Sequence, residues 1–531
     1  MLPPAVFETA AYTNSAIQAG RGGARAGSYA HPARRRIRCG SRGSANSARE
    51  AAYALLTAAA TVSLVLVANR APVRETPTGW VPALGGLASA LLPVLESRGG
   101  AWVAMKAPED GAPLLQRYPD ERPAFDIHRV PLDPAEFESY YQGMANRVLW
   151  PLSHYLVELV EPDRGFRDAY RAVNRRFAGA ALDAARQSDA EGDADVSFWI
   201  QDYHLMLVPE GIRRGRPDAR IGFFWHVPWP APEVFRILPS ARDLLRGVLG
   251  SDLVGFHTEG YAENFRESAR DLMGATIDGD AIHLGGRTVR AQAHPIGIDV
   301  VHFEGLAEHA QADAAAFKAE LGGCRLVVGI DRLDYTKGLL LRLEAYERFL
   351  ELYPELHGTV TLYQVATPSR TGVPAYDQLK RDVEEAVGRI NGRFSEGAWV
   401  PIRYRYRSFD PSELAVMYAA ADVAFVTPLR DGMNLVAHEF VAINAVAGID
   451  PGVLVLSELT GAADYLDGAL LVNPYDAEGM ARALHAAIEL PEAERRERLE
   501  RMRAAVGRLD VHDWADHFLA TLSETEAATA D

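Results

Sequence analysis

Two stretches of this chain gather groups suited to anionic ligands. The first, Asp331-Arg-Leu-Asp-Tyr-Thr-Lys-Gly338, follows the apolar run Arg325 to Ile330. Its Arg332 offers a planar fork of donors and its Lys337 a compact cation, so together they could neutralise a pyrophosphate and let it depart without a protein acid. Alone, a surface ion pair such as Arg332 with Asp334 accounts for the same residues equally well. The second stretch, Thr427-Pro-Leu-Arg-Asp-Gly-Met-Asn-Leu-Val-Ala-His-Glu439, reads as a strand, a loop and then a helix from about Asn434. Gly432 lets backbone approach a ligand closely, and the free N–H groups of the first helical turn favour an anion. Asp431 is suited to accept hydrogen bonds from sugar hydroxyls. Glu439 could hold a ribose diol, although its spacing alone describes an ordinary solvated helix carboxylate. A strand-Gly-helix turn is common in α/β proteins and carries little by itself.

A second set of groups suits a phosphorylated acceptor. Gly85-Gly86-Leu-Ala88 opens an apolar helix, Leu87 to Leu95, whose N–H groups could cradle a phosphate; a simple tight turn fits too. Arg70 and Arg370 are candidates for clamping a sugar phosphate from two sides. The segment Tyr140-Tyr-Gln-Gly-Met-Ala-Asn-Arg-Val-Leu-Trp-Pro151 supplies aromatic faces for sugar rings, though aromatics at this density usually build a core. Asp202 and His226 stand at neighbouring strand ends, and an ordinary core histidine competes with any chemical role for His226. Zinc-type His-x-x-x-His spacing, a Gly-x-Ser-x-Gly nucleophile turn and a Walker-type Gly-Lys-Ser/Thr are all lacking.

The elements that must position these groups are short apolar runs alternating with helical patterns, the signature of parallel sheets covered by helices. The clearest runs are Ser63 to Val67, Ser197 to Ile200, Ile221 to Trp225, Asp252 to Phe256, Arg325 to Ile330, Thr359 to Val365, Asp422 to Val426 and Val453 to Leu456. Polar residues follow their carboxyl ends: Arg70, Asp202 and His204, His226, Asp331, Arg332 and Lys337, Arg370, and Asp431. Ligands of open parallel sheets bind at those ends, so these residues are expected to converge on one cleft. The Ala-rich, charged segment from His302 to Leu321 marks a junction near residue 303. That divides the chain into domains at 62–303 and 304–508, followed by a helix and tail at 509–531.

Composition sets the outer limits. With 531 residues, 48% apolar and 24% charged, the chain is long enough for two globular domains. Two cysteines, Cys39 and Cys324, give no disulfide framework and favour a reducing compartment. Residues 1–50 carry eight Arg against Glu8 and Glu50, so against a total of −16 the remainder is about −22. An acidic body argues against nucleic-acid binding. Residues 1–61 read as a disordered Arg-rich extension. The span Ala51 to Ala68 imitates a signal anchor, but Ser63 to Val67 reads better as a buried strand; a transit peptide or an upstream translation start also fits the leader.

Taken together, these segments resemble the trehalose-6-phosphate synthase family of retaining glycosyltransferases (family 20) from about Ser63 to Leu522. The most specific pieces are Asn69-Arg70, Gly85-Gly86-Leu-Ala88, Trp150-Pro151, Asp202-Tyr-His204, Asp331 to Gly338, Ala366-Thr-Pro-Ser-Arg370 and Pro428-Leu-Arg-Asp-Gly-Met-Asn-Leu-Val436. The resemblance implies an α/β, GT-B fold: two facing Rossmann-like domains with a cleft between them. The terminal helix Asp510 to Leu522, with Trp514, would cross back onto the first domain. Carried over to this chain, Arg332, Lys337 and the backbone of Gly432, Met433, Asn434, Leu435 and Val436 would hold the donor pyrophosphate, with Gly86 near the donor phosphate. Glu439 would hold the ribose, Asp431 the glucose hydroxyls and His226 a hydroxyl near the reacting carbon. Arg70, Tyr141, Trp150 and Arg370 would bind glucose 6-phosphate, and Asp202 would sit beside the incoming hydroxyl.

The implied donor is UDP-glucose or another nucleoside diphosphate glucose, acting as a substrate. No metal, other cofactor, nucleic acid or membrane is implied, the location is cytoplasmic, and homo-oligomerisation is left open. Departure from the family's Trp-x-Gly-Trp pattern at Trp102-Val-Ala-Met-Lys106 puts Met105 and Lys106 near the acceptor side, and related glucosylglycerol-phosphate synthases make glycerol 3-phosphate the alternative acceptor. Ala366 to Arg370 and Pro295-Ile-Gly-Ile-Asp299 favour glucose 6-phosphate. A non-catalytic sugar-phosphate sensor would not need both sets of groups, and a nicotinamide oxidoreductase would need a Gly-x-Gly-x-x-Gly after its first strand.

Overall fold

Strands buried on both faces are written as continuous apolar runs, and the eight runs named above all form such strands. The structure, a computed structural model, describes residues 63–76, 79–82, 86–118, 125–190, 196–370 and 373–525. The Arg-rich extension, Gly85 and the end of the tail lie outside the described residues.

Ser63–Val67 is buried at every position and runs parallel between Val196–Gln201 and Gly100–Lys106, with Val65 opposite both Phe198 and Ala101. Its side chains divide by parity. Leu64 and Leu66 join one core with Trp102 and Trp199, while Val65 and Val67 join another with Tyr140 and Tyr170. Among the described residues this sheet has ten strands, in the order Thr276–Asp278, Ala281–Leu284, Arg287–Ala293, Leu253–Phe256, Arg220–Phe224, Val196–Gln201, Ser63–Val67, Gly100–Lys106, Phe125–Pro131 and Leu115–Tyr118. It is parallel except where outer hairpin strands pair. A second sheet of six parallel strands runs Ile402–Tyr406, Val360–Thr367, Arg325–Arg332, Val423–Val426, Val453–Ser457 and Leu470–Val472.

Two strands toward the sheet edges carry no continuous apolar run. In Phe125–Pro131 buried Phe125 and Ile127 alternate with partly exposed Asp126 and His128, and in Ile402–Tyr406, where only Ile402 is buried, Arg403 and Arg405 take every second position. A different departure concerns the aromatic segment before Pro151. Glu138–Leu149 is a π-helix, ending with the Trp150 N–H donating to Ala145 O. In an α-helix of 3.6 residues per turn, Tyr141 and Trp150 would lie two and a half turns apart, on opposite faces. The wider turn of i→i+5 bonding brings the interval to roughly two turns, so both rings face the same side.

Between the sheets the chain passes through Pro295 to Asp299, where Asp299 accepts the His302 N–H and caps the helix Val300–Glu320. The chain's end returns to this crossing. Asp510 bridges Ile298, the Val511 N–H donates to Ile298 O at 3.3 Å, and Leu509 O lies 1.2 Å from where a side chain on Gly297 would begin. The helix Val511–Glu524 then lies on the first sheet. Trp514 packs 5.2 Å from Trp199, and Phe518 stacks on Trp199 at 4.9 Å. Phe518 fits because Gly222 and Gly255 lack side chains; a Cβ on either would come within 2.7 or 2.8 Å of its ring.

Removing the Phe518 ring leaves a cavity lined by Trp199, Phe224 and two glycines. Phe518→Ala is therefore expected to cost about 3–5 kcal/mol, read as a lower midpoint in denaturant unfolding. A midpoint equal to that of the unaltered chain would show that the returning helix does not anchor the first sheet.

Candidate active site

The strand Arg325–Arg332 ends with exposed Arg332 at the mouth of the gap between the sheets. The chain then folds into one tight turn, Tyr335–Lys337, capped by Asp334, and Gly338 follows at φ 64°. A side chain at Gly338 would meet Thr427 O at 2.7 Å, so glycine is needed here for both conformation and space. This turn aims Lys337 at the loop after Val423–Val426, where its Nζ pairs with Asp431 Oδ2. Asp431 also accepts the Gly432 N–H and the Asn434 side-chain amide, each at 3.0 Å. Burial pushes the Asp431 carboxyl up, but Lys337 beside it outweighs that and holds it below its usual range. Asn434, at φ 87°, caps the helix Leu435–Asn444 by accepting the Ala437 N–H. Met433 is buried, while Leu435 and Val436 form a half-buried first turn.

Beneath this loop lies Arg342, fully buried, which donates to Asp331 Oδ2 at 2.6 Å, Thr427 Oγ1 at 3.0 Å and Lys337 O at 3.5 Å. Asp331 was expected at the cleft, but it turns inward to neutralise Arg342. Nor does Arg332 pair with Asp334, whose carboxylate receives Arg370 instead. Glu439 is no solvated helix carboxylate either. It is half-buried, accepts the Tyr418 hydroxyl at 3.0 Å, and burial pushes its carboxyl up to about 7.

The facing wall belongs to the first sheet. Arg70, in the loop after Ser63–Val67, donates to Tyr141 Oη at 3.2 Å, and its own carbonyl is held by Trp102 Nε1 at 3.0 Å. Tyr141 stacks between Phe137 and His204. Asp202 follows Val196–Gln201 at φ 72°, an uncommon conformation for a non-glycine residue that concentrates at functional sites. Its Oδ1 accepts the His226 N–H at 3.2 Å, and burial pushes its carboxyl up to about 7. His226 is tied through Nε2 to Gln201 Oε1 at 2.9 Å; burial, helped by His257, keeps the ring neutral. Gly86 begins the helix Gly86–Arg98. Lys106 gives its ammonium to Ala112 O, within its own loop.

The walls touch. A Cβ on Gly432 would come within 2.1 Å of His226 O, so only glycine lets the two loops meet there. Tyr261 donates to Asp431 O at 3.1 Å, and the Arg430 guanidinium lies 4.0 Å from the Tyr155 ring centre. Arg370, on the second sheet's side, reaches over: its guanidinium sits 4.0 Å from the Trp150 ring centre and donates to Tyr203 Oη at 3.5 Å. The Tyr141 phenol registers the result. Burial raises it, yet Arg70, Arg370 and Arg332 together bring it below its ordinary value. Guanidinium groups thus come from both sides: Arg70 bonds Tyr141, and Arg370 and Arg332 lie 4.0 and 5.7 Å from the Trp150 ring centre.

Sequence reasoning passed over several residues of this wall. Asp334 sits inside a highlighted motif, yet only the structure shows that it answers Arg370 and Trp150. Arg342 left a signal, an arginine amid the aliphatic residues of Leu339–Leu352. His154, buried and bonded through Nδ1 to Trp150 O at 2.7 Å, lies near Asp334, Asp431 and Lys337 with nothing in its local spacing to mark it. Among the described residues, no His, Cys, Asp and Glu cluster could hold a metal ion, and no helix is long and apolar enough to cross a membrane.

The profile of glycosyltransferase family 20 matches residues 59–524. The trehalose-6-phosphate synthase of Mycolicibacterium smegmatis is 41% identical over 488 residues, covering 88% of this chain and 94% of its own length. A bifunctional trehalose-6-phosphate synthase/phosphatase of Thermoproteus tenax is 40% identical over 482 residues, and this chain spans only 64% of its length. Among solved structures, an alpha,alpha-trehalose-phosphate synthase (UDP-forming) of Burkholderia xenovorans in complex with glucose-6-phosphate is similar with a TM-score of 0.78. The two share 37% identity, covering 87% of this chain and 100% of that one. An E. coli protein bound with UDP-2-fluoro glucose is similar with a TM-score of 0.79 and 35% identity, covering 87% of this chain and 99% of that one. With a match across nearly all of both sheets and the loops that face each other between them, the chain belongs to glycosyltransferase family 20.

Proposed function

We propose that this chain transfers glucose from UDP-glucose to glucose 6-phosphate, with retention at the anomeric carbon, giving trehalose 6-phosphate and UDP. The observation that carries this reading is that Arg70 bonds Tyr141 while Arg370 and Arg332 lie 4.0 and 5.7 Å from the Trp150 ring centre, with Lys337, on the loop that follows Arg332, paired to Asp431. One gap thereby holds cations enough for two phosphate-bearing molecules. The relatives named above, solved with glucose-6-phosphate and with UDP-2-fluoro glucose, support the same pair of substrates.

In this reading Arg332, Lys337 and the N–H groups from Gly432 to Val436 take the pyrophosphate, with Gly86 approaching it from the opposite wall. Glu439 takes the ribose hydroxyls, while Asp431 and His226 take glucose hydroxyls. Arg70, Tyr141, Trp150 and Arg370 hold the acceptor, and Asp202 lies beside its attacking hydroxyl. The bond from C1 to the phosphate oxygen breaks, the acceptor oxygen bonds to C1 on the same face, and its proton passes to the departing phosphate oxygen. Arg332 and Lys337 stabilise the charge that develops there. A neutral His226 can hydrogen-bond a hydroxyl without repelling the developing positive charge at C1. Segment 62–303 supplies the acceptor wall and 304–508 the donor wall, Arg370 excepted. The reaction needs no metal or other cofactor and takes place in the cytoplasm. Lys106 donates to Ala112 O within its own loop and keeps two further N–H groups, so the acceptor panel decides between glucose 6-phosphate and the glycerol 3-phosphate reading.

Incubation with UDP-, GDP- and ADP-glucose against a panel of acceptors is expected to give a disaccharide phosphate with glucose 6-phosphate. Product from glycerol 3-phosphate but not from glucose 6-phosphate would overturn the acceptor. Lys337→Ala should lower turnover by about 10²- to 10³-fold, as loss of one preorganised donor does elsewhere; an unchanged rate would remove Lys337 from the mechanism.

Asp202 yields a prediction in pH. Its folded carboxyl, at about 7, lies above the ordinary value of 3.8, so the folded chain binds this proton more tightly than the unfolded one. Stability is accordingly lost as pH rises through 7. Asp202→Asn should raise the melting temperature of the ligand-free protein at pH 8, with the gain shrinking toward pH 5, while turnover falls. A gain that does not change with pH would mean that the carboxylate carries no burial cost.

A further inference from the structure

One carboxylate in the gap is absent from the roles assigned above. Asp334 is fully buried and accepts Arg370 Nη1 at 2.5 Å, the Tyr376 hydroxyl at 3.1 Å, and the Thr336 N–H and hydroxyl at 3.0 Å each. It also accepts Trp150 Nε1 at 3.4 Å, from the opposite wall. Its two acceptor-side partners are stacked on each other, with the Arg370 guanidinium 4.0 Å from the Trp150 ring centre. Asp334 itself belongs to the loop that carries Arg332 and Lys337, two residues after the first and three before the second.

A lone charge at such a depth is costly unless paired and hydrogen-bonded. Here both hold. Burial raises the carboxyl, but Arg370, Arg332, the Thr336 N–H and Lys337 bring it well below the usual range. Arg370 has a left-handed backbone, at φ 45°, and an 8% exposed side chain. Its guanidinium is thus set by what it bonds to.

We infer that Asp334 is a positioning residue that fixes the Arg370 guanidinium and the Trp150 indole for the acceptor, linking the donor loop to acceptor recognition across the gap. The inference rests on the proposed reaction and adds to it a residue that touches neither substrate. Asp334 holds the Arg370 fork at Nη1, while Nη2 lies 3.5 Å from Tyr203 Oη on the opposite wall. It also pins the indole N–H, which turns the ring face of Trp150 toward Arg370.

Steady-state kinetics of Asp334→Asn, Arg370→Ala and the double variant, with UDP binding measured by calorimetry, tests this. Asp334→Asn is expected to raise KM for glucose 6-phosphate about 10- to 100-fold, and adding it to Arg370→Ala to cost little more, as for groups acting as a unit. UDP affinity should change less than about threefold, because Lys337 keeps its pairing with Asp431 and the backbone from Gly432 to Val436 is untouched. Equal losses for both substrates would make Asp334 a general support of the loop, and additive losses would separate it from Arg370; either overturns the inference. Should Asp334→Asn not fold, Trp150→Phe keeps a ring under Arg370 and deletes the N–H. A raised acceptor KM with unchanged UDP affinity then supports the link, and an unchanged acceptor KM refutes it. These outcomes stand apart from failure of the proposed reaction, in which the unaltered protein forms no disaccharide phosphate from glucose 6-phosphate.

Discussion

Cations crowded into a closed gap repel one another, and the low local dielectric magnifies the cost. This fold meets that constraint with two carboxylates, each dedicated to one cation. Asp431 answers Lys337, and Asp334 answers Arg370. A buried pair of this kind contributes little net stability, because desolvation consumes most of the Coulombic gain. What it secures is position: each cation is held in one place within the gap. Asp331 does the same one layer deeper, neutralising Arg342 so that a guanidinium can hold the Lys337 carbonyl and the Thr427 hydroxyl from below.

The two walls carry different burdens. On the donor wall, charges are answered within one sheet, by loops leaving adjacent strands, so the geometry is set by local turns: the Asp334 cap, left-handed Gly338 and the Asn434 cap. Across the gap, Arg70 comes from the first sheet and bonds Tyr141, and Arg370 comes from the second and meets the Trp150 ring of the first. That meeting requires the sheets to face each other at a defined distance. The contact of Gly432 with the His226 carbonyl and the return of the Val511–Glu524 helix onto Trp199 both restrict that distance. The raised carboxyls of Asp202 and Glu439 show the same tension, since burial that shapes a site also penalises the charge placed in it.

Much of this was legible in residue order. Continuous apolar runs marked most central strands because a strand covered on both faces must be apolar throughout, although Gly100–Lys106, beside Ser63–Val67, was missed. Motifs at their carboxyl ends marked the loops, since Gly432, Gly338 and the capping Asp334 and Asn434 act through their immediate neighbours. Edge strands such as Ile402–Tyr406 escaped, their alternating pattern being shared with many exposed segments. The aromatic segment was ambiguous for a related reason: Tyr140 proved to be core, with its hydroxyl on Asn69, while its neighbour Tyr141 reached the gap.

By itself, then, the amino-acid sequence determined the alternation of strand and helix, the loops where charge gathers and the family to which they belong, because these depend on short-range pattern. Only the tertiary structure decided that Tyr141 and Trp150 share a face, since that depends on π-helical rather than α-helical winding. It alone decided that Asp331 turns inward and that Asp334 serves Arg370. Partner choice among charges is a question of distance through space, and residues far apart along the chain acquire that distance only when both sheets are built and brought face to face.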